Sequence, residues 1–172
     1  MRKKIISVVC FLLAVFVSHG IAADSAPFFF LQLSDPQFGF IDNNKSISAE
    51  TEAMNKAVTA INQLKPPFVV ITGDFVNNSK SKEQIAAYKS MIAQIDSSVK
   101  VYMIPGNHDI GKVSRASIDN YKKNYGETHF SFRYGDCAFI GIDSNIIKEE
   151  DKEREEVQFK WLGQGLQKTE DA

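Results

Sequence analysis

At 172 residues, 44% of them hydrophobic and with a formal net charge of −1, the chain is sized for one globular domain with a full core. Two cysteines exclude a disulfide framework. No Lys/Arg-rich run is interleaved with aromatics, so no nucleic-acid partner is expected.

The first stretch reads as a targeting signal. Arg2, Lys3 and Lys4 precede an apolar run from Ile5 to Val17, and small residues follow at Gly20, Ala22 and Ala23. This is the pattern of a secretory signal peptide over 1–23, and it predicts a secreted or periplasmic protein. The run is shorter than the ~20 residues that span a bilayer, so no transmembrane segment is expected after cleavage. An uncleaved anchor is the alternative reading. Cys10 follows Val9 inside the run, which argues against lipid attachment. The mature balance is 17 basic against 21 acidic residues, because the leader carries three cations and no acids.

From residue 24 onward, strands and helices alternate. Phe28 to Leu33 is a dense apolar run of buried-strand length. A linker rich in Asn and Ser (42–48) leads into Met54, Ala57, Val58, Ile61 and Leu64, which recur at helical spacing and stop at Pro66-Pro67. Phe68 to Ile71 predicts a second strand. Ser81-Lys82-Glu83-Gln84 reads as a capping box that starts a helix marked by Ile85, Tyr88, Ile92 and Ile95. Val99 to Ile104 predicts a third strand. A short helix carries Ile118, Tyr121 and Tyr125 and closes at Gly126. The spacing then changes to a hairpin, 129–134 and 138–142 about Gly135-Asp136, in whose strand pattern Cys137 is expected to be core. A charged segment, 148–156, opens a last helix with Val157, Trp161 and Leu162, weakened by Gly163 and Gly165. The order strand–helix–strand–helix–strand predicts an α/β fold with parallel strands.

Three polar motifs each follow a predicted strand: Ser34-Asp35-Pro36-Gln37, Thr72-Gly73-Asp74 and Pro105-Gly106-Asn107-His108-Asp109. Parallel strands put their carboxyl ends on one rim, where α/β proteins bind ligands. Asp35, Asp74 and Asn107 are hard oxygen donors suited to divalent cations, with Asp74 placed to be shared between two ions and Gln37 a further candidate. His108 can face a phosphate oxygen or protonate a leaving alkoxide, with Asp109 or Asn77 orienting its ring. Other polar residues read more simply. His129 belongs to a strand, Gln37 can equally be a loop amide, and Asp143-Ser144 caps a turn. The 38–48 and 110–117 segments are candidates for the walls of a substrate pocket.

Asp35-Pro36-Gln37, Gly73-Asp74-Phe75-Val76-Asn77 and Gly106-Asn107-His108-Asp109 resemble the first three blocks of the calcineurin-like metallophosphoesterases. Phe139-Ile140-Gly141-Ile142-Asp143-Ser144 and Trp161-Leu162 are similar to later segments, so the resemblance covers about residues 28–166. It implies a four-layer α/β/β/α sandwich over 24–172 and a metal-dependent phosphoesterase that hydrolyses phosphomonoesters or phosphodiesters with a metal-bound water. It further implies two divalent metal ions (Mn, Fe or Zn) at Asp35, Gln37, Asp74 and Asn107, and a phosphate-contacting His108 backed by Asp109. Two features depart from the pattern. Gln37 stands where the family usually has histidine. The family's later histidine and Gly-His-x-His blocks have no counterpart, since His108 and His129 are the only histidines after the leader. The expectation is therefore an N-terminal portion of a longer enzyme, with the C-terminal part of the fold missing, weak metal binding and low turnover. The competing reading is a non-catalytic phosphate- or metal-binding protein.

Overall fold

The structure is a computed structural model describing residues 26–170. The expected leader at 1–23 lies outside the described residues. The elements run β1 (Leu31–Leu33), α1 (Ser48–Leu64), β2 (Phe68–Ile71), α2 (Lys82–Ile92), β3 (Lys100–Met103), α3 (Asn107–Ile110), α4 (Arg115–Tyr125), β4 (Phe130–Tyr134), β5 (Cys137–Gly141), α5 (Ser144–Lys148) and α6 (Lys152–Glu170). The first three strands form a parallel sheet in the order β1-β2-β3, and β4-β5 form a separate antiparallel pair.

All four residues of β2, the central strand, are buried, as its unbroken apolar run requires for a strand covered on both faces. Side chains alternate across it. Val69 and Ile71 join Met54, Val58 and Ile61 of α1 and Tyr88 of α2 in the main core. Phe68 points the other way, where its ring meets Phe132 at 4.9 Å and Phe139 at 4.8 Å. Tyr102 of β3 stacks on Phe132 at 3.7 Å. The hairpin is thus laid on the parallel sheet through an aromatic layer. Trp161 of α6 in turn lies 4.3 Å from His129 at the hairpin's start. Helices, parallel sheet, hairpin and α6 follow one another in the expected α/β/β/α sense.

Several boundaries differ from the expectation. The first strand is shortened to Leu31–Leu33; Phe28 and Phe30 leave the ladder and pack their rings on Phe68 and Phe139. Helix α1 begins six residues before Met54. Its first turn carries Glu50, a buried carboxylate that accepts the Ile41 N–H at 2.7 Å and so hides the helix from a hydrophobic count. The charged segment is a junction. Asp151 stops the chain between α5 and α6 by accepting the Arg154 N–H, the role of an N-cap. Gly163 and Gly165 do not end α6, which continues through both to Glu170. Cys137 is exposed together with Ala138, because both lie at the turn end of the hairpin and only the later residues of the strand are covered. Among the described residues no helix is long and apolar enough to cross a membrane.

Candidate metal and phosphate site

The three motifs converge. Past the end of the β1–β2 ladder the two chains stay zipped: Asp35 N donates to Gly73 O (3.2 Å), Gln37 N to Asp74 O (2.8 Å) and Phe38 N to Phe75 O (3.1 Å). Asp35 and Asp74 are thereby fixed on adjacent loops at one rim. The third loop closes on the second through two glycines. A Cβ on Gly73 would lie 2.3 Å from Gly106 N, and a Cβ on Gly106 only 2.1 Å from Asp74 Oδ1. Neither position admits a side chain, and Gly73 also sits at φ +92°. This close approach lets the His108 N–H donate to Asp74 Oδ1 at 2.8 Å.

The backbone is strained where the donors are. Asp35 (φ 54°), Gln37 (φ 36°) and Asp74 (φ 51°) are all left-handed non-glycine residues. Each such conformation costs on the order of 1 kcal/mol, and strain of this kind collects at functional sites. All three carry side-chain oxygens and lie on the two adjacent loops at this rim. Asp35 and Asn107 are exposed, and Gln37, Asp74 and His108 are half-buried, so the donors face solvent. Ser34 Oγ donates to Asp35 Oδ2. Among the described residues no donor reaches Asp74 Oδ2, which leaves that oxygen for a cation.

The donor chemistry fits a hard divalent ion. Two carboxylates and two amides supply only oxygen, the preference of Mg and Mn over Zn. Among the described residues no cluster of three or more His, Cys, Asp and Glu side chains is placed to hold an ion. The amides of Gln37 and Asn107 must therefore complete any coordination these residues offer.

Asp109 takes a different role from the expected one. Its carboxylate is buried, with Oδ1 accepting the N–H of Phe75 (2.8 Å) and Val76 (3.3 Å) and Oδ2 that of Gly106 (2.9 Å). It clamps the second motif to the third and does not orient the histidine. Burial pushes its carboxyl up to about 7; the three amides oppose this, and Asp74 adds to it. The acceptor at His108 Nδ1 is instead the backbone carbonyl of Asn77, 3.0 Å away. A neutral ring bonded in this way carries its proton on Nδ1 and presents a bare Nε2. Protonated, the same ring becomes a donor to an anion.

Sequence reasoning missed what holds Asn77. Asn44 Oδ1 accepts both Asn77 Nδ2 (2.9 Å) and Gln84 Nε2 (2.8 Å), while Gln84 Oε1 accepts the Asn78 N–H (2.8 Å). Ser81 caps α2 as expected, but Gln84 spends its side chain on this network instead of a capping box. Nothing in the sequence separates Asn44 from its solvated neighbours in the 42–48 linker. Asn145 was also missed. It is buried and donates to Pro105 O, tying α5 to the third motif. His129 lies beside Trp161, one residue before β4, so it stands just outside the strand it was expected to join. Asp143 caps α5 through Asn145 N at 2.9 Å, again as expected.

Asp35 and Gln37 line a pocket of about 340 Å³ together with Phe40, Ile41 and Met54, so of the 38–48 segment Phe40 and Ile41 stand beside the first motif; Asp74, Asn107 and His108 do not line this pocket.

Comparison with known proteins gives the same direction. A family model for calcineurin-like phosphoesterases matches residues 30–167. Serine/threonine-protein phosphatase CPPED1 of Homo sapiens is 30% identical over 172 residues, covering 90% of this chain and 55% of the relative. The probable glycerophosphodiester phosphodiesterase GpdQ of Arcobacter nitrofigilis is 30% identical over 124 residues, covering 70% and 44%. The chain thus spans about half the length of the curated relatives it matches. A crystal structure of a dimetal phosphatase from Danio rerio superposes with a TM-score of 0.51 at 19% identity, covering 69% of this chain and 45% of that one. That likeness establishes the fold.

Proposed function

Because this chain belongs to the calcineurin-like phosphoesterase family, we propose that it acts on phosphomonoesters or phosphodiesters with the help of divalent cations held at the rim of its parallel sheet. The relatives it matches are a phosphatase and a phosphodiesterase, both hydrolases of phosphoric esters. One observation carries the reading. Asp74 is gripped from both sides, by the first motif through Gln37 N and by the third through His108 N, so the candidate donors form one preorganised unit. Asp35, Asp74, Asn107 and Gln37 would hold the ions, two of them as in the dimetal fold neighbour. Of Mn, Fe and Zn, the oxygen-only set favours Mn. When bound, such ions supply charge neutralisation and an acidified water.

The chain's own residues do the rest. His108, held through Nδ1 by Asn77 O, presents Nε2 toward the ester, where it binds a phosphate oxygen or passes a proton to the departing alkoxide. Asp109 keeps the amides of Phe75, Val76 and Gly106 fixed, so the site does not reorganise as charge develops. The basic n-region and apolar run at 1–23 support secretion or periplasmic export, which N-terminal sequencing of the mature protein tests.

The activity test compares p-nitrophenyl phosphate and bis-p-nitrophenyl phosphate hydrolysis with added Mn²⁺ in the wild type and in Asp74→Asn. Turnover is expected to fall by about a hundredfold or more in the variant. Turnover that Asp74→Asn leaves unchanged contradicts the proposal. Orthophosphate binding with no turnover at any Mn²⁺ concentration would favour the non-catalytic alternative.

A further inference from the structure

A second concavity, about 1020 Å³, opens between α2 and α4. Five lysines line it, namely Lys80, Lys82, Lys89, Lys112 and Lys123, and no acidic residue does. Among the described residues none of these five is in an ion pair, whereas Lys56, Lys65, Lys122 and Lys152 each have a carboxylate partner. A chain with a net charge of −1 has therefore gathered a quarter of its 20 cations, uncompensated, along one groove. Like charges held together destabilise the free protein, so the groove is built for an anion.

The groove begins within a few residues of the proposed site along the chain. Ile110 and Gly111 belong to its wall and directly follow Asp109, and Ser79 lies two residues past Asn77, the acceptor of His108. Asn120 Nδ2 bonds Ser79 O at 3.3 Å, tying α4 to the loop that leaves the site. A ligand with its phosphoester at His108 can thus run on between the helices. We propose that this groove docks an acidic peptide segment flanking the phosphoester group, an inference that rests on the phosphoesterase reading and supplies its substrate class.

Two features favour a peptide over a nucleic acid. No aromatic side chain lines the groove, so bases would find no stacking platform. Ile85, Ala86 and Ala116 instead offer small apolar surface between the ammonium groups. The reach also fits. Lys82 and Lys89 stand two turns apart on α2, roughly 10 Å along the axis, which is the length of about three extended residues. Closely spaced carboxylates along an extended peptide can then reach both lysines.

The test measures fluorescence anisotropy of a labelled peptide of alternating glutamate and serine against the whole protein, beside a neutral glutamine–serine peptide and a single-stranded oligonucleotide. The acidic peptide should bind tightest and weaken steeply with salt. Lys82→Gln/Lys89→Gln/Lys123→Gln should weaken it by roughly tenfold, as three exposed charge pairs are worth, and the single Lys89→Glu should act in the same direction. Far-UV circular dichroism checks that both variants keep the fold. Because binding needs no turnover, the groove can be judged even if the hydrolytic reading fails. Equal affinity for acidic and neutral peptides, indifference to both lysine variants, or preference for the oligonucleotide overturns the inference.

Discussion

The parallel-sheet half, 31–125, and the hairpin half, 130–170, differ in how much each element is over-determined. In the first, β2 is wholly buried, the main core cluster draws all its buried members from 38–121, the loops of Asp35, Gln37 and Asp74 are zipped by backbone hydrogen bonds, and Asn107 starts α3 beside them. In the second, β5 begins with exposed Cys137 and Ala138, and α6 leaves Val157, Phe159 and Leu166 exposed. Among the described residues six of the seven left-handed non-glycine positions lie in the first half, Asp35, Gln37 and Asp74 among them, and Glu150 is the one in the second. Strain persists only where the surroundings fix it, so the chemistry is placed where the packing can hold it. The second half contributes support at a distance, through the aromatic layer on Phe68 and the Asn145–Pro105 bond.

The contrast can be broken most severely at Asp109. Asp109→Ala strips the acceptor from three backbone N–H groups, two of them fully buried, and is expected to cost roughly 3 kcal/mol or more in urea unfolding. A loss below ~1 kcal/mol would show that the clamp is not what holds the second and third motifs together.

A smaller and pH-dependent effect is expected from the second half. Asp143 is fully buried and its Oδ2 has no hydrogen-bond partner, so desolvation raises its pKa above the usual 3.8 while Asn145 pulls weakly against this. The folded state thus holds this proton more tightly than the unfolded state. Asp143's contribution to stability is greatest below the unfolded value and is lost as pH rises through the folded one. Asp143→Asn cannot ionise and keeps an oxygen for Asn145. Its stability relative to wild type should therefore improve as pH rises above the usual carboxylate value of 3.8, and a difference in urea midpoints that stays flat with pH would contradict the account. The smallest effect is expected at Cys137→Ser, within ~0.5 kcal/mol of wild type because the thiol is exposed and free. A larger loss would mean that the hairpin turn is packed more tightly than its exposure indicates.

Much of the first half was legible in the sequence because its elements are locally consistent. Phe68–Ile71 is continuous and apolar, Ser81 announces α2, Gly126 ends α4, and three motifs follow three strands. The candidate oxygen donors could be picked out by motif and position alone. Their supports could not, because a side chain's partner in space leaves no periodic trace. Asp109 and His108 are adjacent in sequence yet point to different acceptors and donors. Gln84 and Asn44 are 40 residues apart and meet only after folding. Glu50 and Asp151 look like solvated charge until one is buried against Ile41 N and the other caps a helix.

The central claim is that Asp74, with Asp35 and Asn107, forms an oxygen-lined seat for divalent cations. Mn²⁺ binding followed by the loss of free-ion electron paramagnetic resonance signal tests it without any need for turnover. The wild type should take up Mn²⁺, and Asp74→Asn, which keeps the shape but removes one of two carboxylates, should bind at least about tenfold more weakly. Equal uptake by the two proteins would contradict the account.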